Sequence, residues 1–355
     1  MSKTLSILTL ATSLVAFASC GGDPAPAANQ PAANQPAAQQ PAVSAIKKPK
    51  LPPKLDMTLI TAYFGNEPSA PKAKSPSTPE KIALGKALYH DTSLSKNGNL
   101  SCASCHDLNN YGQDGKATSP GSDGKNGDRN SPTTLNAARN FAQFWDGRAE
   151  SVEDQAILPV LNPIEHGIAN EAELLAKINA KHDLVAAFAA AFPGEGSVSI
   201  DNFKHAIGAF ERTLTTRSPF DDFLDGSAGA LTTDQKLGLQ KFIEVGCTQC
   251  HTSRLVGGAL FQKLGLLRPY ATEDTGRMQV TGSAADKFVF KVPSLLNCEK
   301  TAPYNHDGKY ATLPEAVKNM AAIQLNKDLS PEDVDSIVAF LKALTGKVPE
   351  GVVMK

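Results

Sequence analysis

Cys102-Ala103-Ser104-Cys105-His106 returns later in the chain as Cys247-Thr248-Gln249-Cys250-His251, and these two stretches decide how everything around them is read. Cys-x-x-Cys-His is the attachment signature of a c-type haem. Its thiols form thioethers with the porphyrin vinyl groups, and the adjoining His is placed to bind the iron axially from the same side. Paired Cys and His also hold zinc. A zinc ribbon, however, draws its Cys pairs from a short separation, and these two pairs lie far apart in a chain of 355 residues. The expectation is two covalently bound haem c groups, one on Cys102, Cys105 and His106, the other on Cys247, Cys250 and His251.

Working outward, a helical pattern precedes each motif. The first opens at Thr78-Pro79-Glu80, a cap followed by Pro at the first helical position, and carries Ile82, Leu84, Ala87 and Leu88. The second opens near Thr233-Asp234 and carries Leu237, Leu239, Phe242 and Ile243. Helix, loop and motif, twice over, read as duplication of a cytochrome c module. A last helix opens at Ser330-Pro331-Glu332-Asp333. Its Val334, Ile337, Val338, Leu341 and Leu344 recur at helical spacing, and Gly346 is the expected stop. Few segments alternate as strands do. The predicted fold is all-α: two cytochrome c-like domains over 57–218 and 219–355, each with a covalently bound haem c, and long loops.

The N-terminus reads as an export signal. Lys3 precedes the apolar run from Leu5 to Phe17, which ends at Ala18-Ser19-Cys20-Gly21-Gly22. The run is too short to span a bilayer and has the layout of a signal peptide over 1–20. The small residues around Cys20 resemble a bacterial lipoprotein processing site, which predicts a periplasmic protein held to a membrane by lipid on Cys20. Residues 21–56 are rich in Pro, Ala, Asn and Gln, with Pro-Ala-Ala-Asn-Gln recurring. Lacking large apolar side chains, this segment is expected to be a disordered tether. Six cysteines then account for themselves: one for lipid, four for haem, and Cys298 as a buried free thiol in an apolar stretch. A formal net charge of −1 and no Lys/Arg cluster argue against a nucleic-acid partner.

Between and after the motifs lie further phrases: Asn140-Phe-Ala-Gln-Phe-Trp145-Asp-Gly-Arg148-Ala149, Gln155-Ala156, Asn162-Pro-Ile-Glu165, Phe290-Lys-Val-Pro-Ser-Leu-Leu-Asn297, Thr301-Ala-Pro-Tyr-Asn-His306-Asp-Gly308, and Met320. In this order and spacing the chain, from about Thr78 to Gly346, resembles the bacterial di-haem cytochrome c peroxidases. The resemblance implies that peroxide binds at the N-terminal haem, with His106 as proximal ligand, and that electrons enter at the C-terminal haem, on His251. Met320 falls where the family places that haem's sixth ligand; a thioether there raises the potential. Unaided, a lone Met on a helix would be read as core packing. Glu165 matches the family's distal acid/base and Gln155 its distal amide. A carboxylate can take and return a proton, whereas an amide can only orient. Trp145, the one Trp of the chain, matches the Trp between the haems and is a candidate electron relay. Asn130, Thr301 and Pro303 match the positions that bind Ca²⁺ through oxygen donors. The reaction implied is reduction of hydrogen peroxide to water with electrons from a small periplasmic cytochrome c or cupredoxin, and family members are often homodimers.

One departure stands out. Many members carry a His after the first motif that caps the peroxidatic iron until the other haem is reduced. Here the loop Thr118–Asn130 has no His, and Ser122 occupies the aligned position. The expectation is an iron open without reductive activation. His166, next to Glu165, is a haem-competent imidazole but a neighbour in the chain, expected to point elsewhere. Two other readings stand beside the peroxidase: a protein-modifying di-haem oxidase, which Met320 opposes, and a non-catalytic di-haem electron carrier, which Glu165 and Gln155 oppose.

Overall fold

The helix Pro79–His90 begins where its sequence says it should: Thr78 accepts the Lys81 amide and Pro79 occupies the first turn. In the computed structural model, residues 55–194 and 198–353 are described. The signal peptide, Cys20 and nearly all of the tether lie outside the described residues. Asp56 caps a helix, Met57–Phe64, through the amides of Thr58 and Leu59.

The described residues are rich in helix, and they carry two buried apolar clusters. One gathers Leu84, Leu88, Tyr89, Phe188, Phe203 and Phe210 around the first motif helix. The other gathers Phe220, Leu239, Phe242, Ile337 and Phe340 around the second. The chain does not partition simply between them. Ile60 and Phe64, from the first described helix, belong to the second cluster, and Val352, near the C-terminus, belongs to the first.

The two motif helices are crossed in the same manner. Gly85 of Pro79–His90 meets Ile200–Glu211 so closely that a Cβ would lie 1.9 Å from the Ala206 carbonyl oxygen. Gly238 of Thr233–Val245 meets Pro331–Lys342 in the same way, 2.0 Å from the Ser336 carbonyl oxygen. Only glycine permits backbones to approach so far. Thr232 and Gln235 form a capping box at the start of the second motif helix, and Gly246 ends it in the left-handed region. The motifs then turn alike: the His106 amide donates to the Cys102 carbonyl at 2.9 Å, and the His251 amide to the Cys247 carbonyl at 3.0 Å.

Two expectations are corrected. The fold is not wholly α, since Phe261–Lys263 and Val289–Lys291 pair as an antiparallel two-stranded sheet. Each strand is three residues long, too short for alternation to register in the sequence. The last helix ends at Lys342, before Gly346. Leu344 is drawn into the core and its carbonyl takes the Asn297 amide. Gly346 serves a close approach instead, its amide donating to Asn297 Oδ1 while the Arg217 carbonyl fills the space of a Cβ. Cys298 is buried, as expected, and burial pushes its thiol up to about 12.

Candidate active site

Beside the first motif the structure opens a cavity of about 870 Å³. Cys102, Cys105 and His106 form part of its wall, and Trp145, Gln155 and Glu165 face the same space. Segments far apart in sequence thus deliver the expected attachment residues and the expected distal residues to one place. Tyr89 secures the motif from below: its hydroxyl donates to the His106 carbonyl at 2.7 Å and meets Thr134 Oγ1 at 3.0 Å.

The residues present fit a haem. His106 Nδ1 is a buried polar atom without a hydrogen-bond partner, and burial pulls the ring's pKa down, favouring the neutral imidazole that binds iron. At the second motif, His251 Nδ1 lies 3.1 Å from the Val256 carbonyl. That bond assigns the proton to Nδ1 and leaves Nε2 free for a metal. Burial draws His251 down to about 4, again favouring the neutral ring. Gln262 Nε2 approaches Cys250 Sγ at 3.8 Å. Met320 sits half-buried on the helix Leu313–Leu325, and Gln324 of that helix bonds the Lys263 carbonyl, next to Gln262. Cys247, Cys250, His251 and Met320 lie outside the wall of the first cavity.

Two short helices, Val152–Ala156 and Leu158–Leu161, bring Gln155 and Glu165 forward. Asn162 ends the second of them. Its Oδ1 accepts the Ile164 amide at 3.0 Å, closing a turn, while its Nδ2 donates to Glu165 Oε1 at 2.7 Å. Burial pushes the Glu165 carboxyl above the ordinary carboxylate range, and the Asn162 hydrogen bond and the Arg148 charge draw it partly back. His166 points its Nδ1 to the Leu94 carbonyl at 2.9 Å, so one ring nitrogen is held by the backbone while the ring forms part of the cavity wall.

The loop that lacks a His is pinned. Ser122 is buried; its Oγ accepts the Asn97 amide and donates to Asn99 Oδ1 at 2.8 Å, and its own amide donates to the Glu165 carbonyl. Before it, Gly121 lies where a Cβ would be 1.6 Å from the Ile164 carbonyl oxygen. The loop is therefore pressed onto the Glu165 segment.

Trp145 Nε1 donates to the Asn130 carbonyl at 2.9 Å, and the Asn130 amide donates to the His306 carbonyl at 2.7 Å. Gln113 Nε2 donates to the Lys300 carbonyl. These bonds hold the segment of Asn130 against the segment of Thr301 and Pro303. Among the described residues no cluster of three or more His, Cys, Asp or Glu is arranged to hold a metal. That does not bear on a site of amide and carbonyl oxygens.

Four cavity residues were not singled out from the sequence. Phe144 adopts φ +65°, a costly conformation for a bulky side chain, and lies 3.5 Å beneath the Arg148 guanidinium. Arg148 bonds Asp146 at 2.9 Å. Glu211 is buried on the cavity wall, where desolvation and then the nearby Glu153 charge push its carboxyl up to about 8. Lys291 enters from the short sheet. Only the phrases around Phe144, Arg148 and Lys291 gave a signal, and it did not separate these positions from their neighbours.

Against known proteins, residues 79–229 match the family model described as di-haem cytochrome c peroxidase. Over 289 residues the chain is 45% identical to a cytochrome c551 peroxidase of Nitrosomonas europaea, covering 80% of this chain and 86% of that protein. The chain belongs to the di-haem cytochrome c peroxidase family. A cytochrome c551 peroxidase of Pseudomonas aeruginosa is 42% identical over 282 residues, covering 77% of this chain and 81% of that protein. The methylamine utilization protein MauG of Methylorubrum extorquens is more distant, 34% identical over 267 residues and 74% of each chain. Among solved structures, a MauG-like protein associated with microbial copper homeostasis superposes with a TM-score of 0.70 at 29% identity, covering 86% of this chain and 96% of that one. The enzyme is accordingly a cytochrome-c peroxidase, an oxidoreductase of a haem-binding family.

Proposed function

We propose that this peroxidase reduces hydrogen peroxide in the cavity beside Cys102, Cys105 and His106, and that it does so without prior reduction. The observation that carries the reading is Glu165: a half-buried carboxyl, held by Asn162 and facing the same cavity as His106 and Gln155. Two covalent haem c groups, on the two motifs, would supply the electron chemistry that breaks the O–O bond. What the chain itself supplies is proton traffic and position. Glu165 takes a proton from the oxygen of peroxide nearest the iron site and returns it to the departing hydroxide. Gln155 orients the bound peroxide through its amide. With two electrons and two protons consumed, one peroxide gives two waters.

In this reading His251 and Met320 hold the electron-entry haem, and Trp145 stands on the route between the two sites. Each apolar cluster is the core of one haem domain. Asn130, Thr301 and Pro303 bind Ca²⁺ through oxygens where the segments meet, a hard-ligand set that suits the ion. The pinning of Ser122 supports an uncapped iron, because its hydroxyl is already committed to Asn97 and Asn99. The donor is a small periplasmic cytochrome c or cupredoxin, and the protein is exported and lipidated on Cys20, possessing among its described residues no helix long and apolar enough to cross a membrane. Association as a homodimer follows the family habit.

The test is Glu165→Gln in the full-length protein. With haem content at two per chain by pyridine haemochrome, peroxide-dependent oxidation of reduced cytochrome c should fall at least a hundredfold. Turnover within threefold of the wild type would remove Glu165 from the reaction.

A further inference from the structure

Three cations line the cavity, and two of them have carboxylate partners. Arg129 pairs with Asp146 at 2.5 Å and Asp274 at 2.6 Å. Arg148 pairs with Asp146 at 2.9 Å. Lys291 differs. It is buried, its Nζ donates to the Ala142 carbonyl at 3.0 Å, and among the described residues it forms no ion pair. An ammonium has three donors and no acceptor, so a single neutral carbonyl leaves most of its capacity unmet. A buried charge without an anion is costly, and proteins ordinarily supply one. Burial draws the amine down to about 8, with the Asp146 charge pulling back, so at neutral pH it keeps its proton.

The residue is also fixed in place. Its amide donates to the Trp145 carbonyl at 2.7 Å, and Pro293 and Ser294, just beyond it, continue the cavity wall. A mobile surface lysine would satisfy itself with water; this one lines the same cavity as Cys102 and His106. A haem brings two carboxylates of its own, and an anion is what this position lacks.

We propose that Lys291 Nζ receives a propionate carboxylate of the haem held by Cys102, Cys105 and His106, and thereby raises that haem's reduction potential. The proposal rests on the reading that a haem fills this cavity. The sign follows from charge: a cation beside the haem disfavours the ferric state, which carries one more positive charge than the ferrous. Lys291 is thus a positioning and tuning residue, and it need not touch peroxide.

The experiment compares full-length wild type, Lys291→Gln and Lys291→Arg. Pyridine haemochrome comes first; a wild type without haem on Cys102 and Cys105 would overturn the reading beneath the proposal. With two haems per chain established, a spectroscopic redox titration follows at pH 7. For Lys291→Gln the reduction equilibrium of the peroxidatic haem should fall about tenfold, which is 59 mV for one electron. Lys291→Arg should remain within about threefold of wild type, and the other haem should not move in either variant. An unchanged potential in Lys291→Gln, or a shift confined to the second haem, overturns the assignment. Should the variants not accumulate, the propionate-bending band of the wild-type haem in resonance Raman decides instead: it should move on exchange into D₂O, and an unmoved band refutes the contact.

Discussion

Replacing Asn162 with Asp should move the acid limb of peroxide turnover upward by about one pH unit or more. Asn162 Nδ2 donates to Glu165 Oε1 at 2.7 Å. A hydrogen bond to a charged acceptor contributes about 1.5–3 kcal/mol, and because Glu165 is only partly buried the lower figure applies. At about 1.36 kcal/mol per pKa unit, losing that donor raises the carboxyl by roughly one unit. The second carboxylate adds like-charge repulsion in the same direction. Asp keeps the oxygen that accepts the Ile164 amide, so the turn that presents Glu165 is preserved. The sign is definite. In the proposed role Glu165 acts as base in its ionised form; burial already raises its pKa, and a further rise means activity is lost at a higher pH as the solution is acidified. The assay is kcat/KM for peroxide from pH 4 to 8 with reduced cytochrome c in excess. Glu165→Gln is the control: general acid–base catalysis contributes about 10²–10⁴-fold, and the variant should lose that much above the acid limb and show no limb from Glu165 below it. It should not lose stability at pH 7. A carboxyl whose folded pKa is raised destabilises the fold once ionised, above that pKa, and the amide mimics its neutral form. An acid limb that stays in place in Asn162→Asp would refute the reasoning.

Two further perturbations test other parts of the account. Arg212 holds buried Glu153 through a bidentate pair, both bonds 2.8 Å, with Glu211 adjacent in the chain. Arg212→Ala should destabilise the protein by about 3–5 kcal/mol, since it leaves a buried carboxylate without its partner; urea unfolding followed by circular dichroism would show it, and a loss below about 1 kcal/mol would contradict it. Chelation with EGTA should suppress peroxide turnover, and Ca²⁺ should restore it while Mg²⁺ does not, if Asn130, Thr301 and Pro303 hold the larger ion; turnover indifferent to EGTA would remove calcium from the account.

Local chemistry made much of this molecule legible. Thr78-Pro79 and Ser330-Pro331 are helix starts in the sequence and in the structure, because a capping hydroxyl and a proline without an amide act within one turn. The two Cys-x-x-Cys-His motifs pointed to a haem-binding family, to which the chain belongs, because two thiols and an imidazole at fixed spacing have few other uses. What escaped depends on distant partners. Gly85 and Gly238 are ordinary helical glycines until Ala206 and Ser336 arrive across them. Phe144 gives no sign in the sequence of its positive φ, which belongs to the folded turn that precedes Asp146 and Arg148. Glu211 and Lys291 reach the cavity from segments far from the first motif, and only the assembled wall shows that both are titratable groups buried beside it. Gly346 misled because a glycine after an apolar helix is also compatible with a close backbone approach.

The central claim is an iron site that is open in the resting enzyme because Ser122, and no imidazole, occupies the pinned loop. Stopped-flow mixing of the fully oxidised protein with hydrogen peroxide, without any reductant beforehand, tests it most directly. The account predicts a spectral change at the peroxidatic haem that is first order in peroxide from the first turnover and no faster after pre-reduction of the other haem. An oxidised protein that ignores peroxide until it is pre-reduced would contradict the account, and His166 would become the first residue to replace.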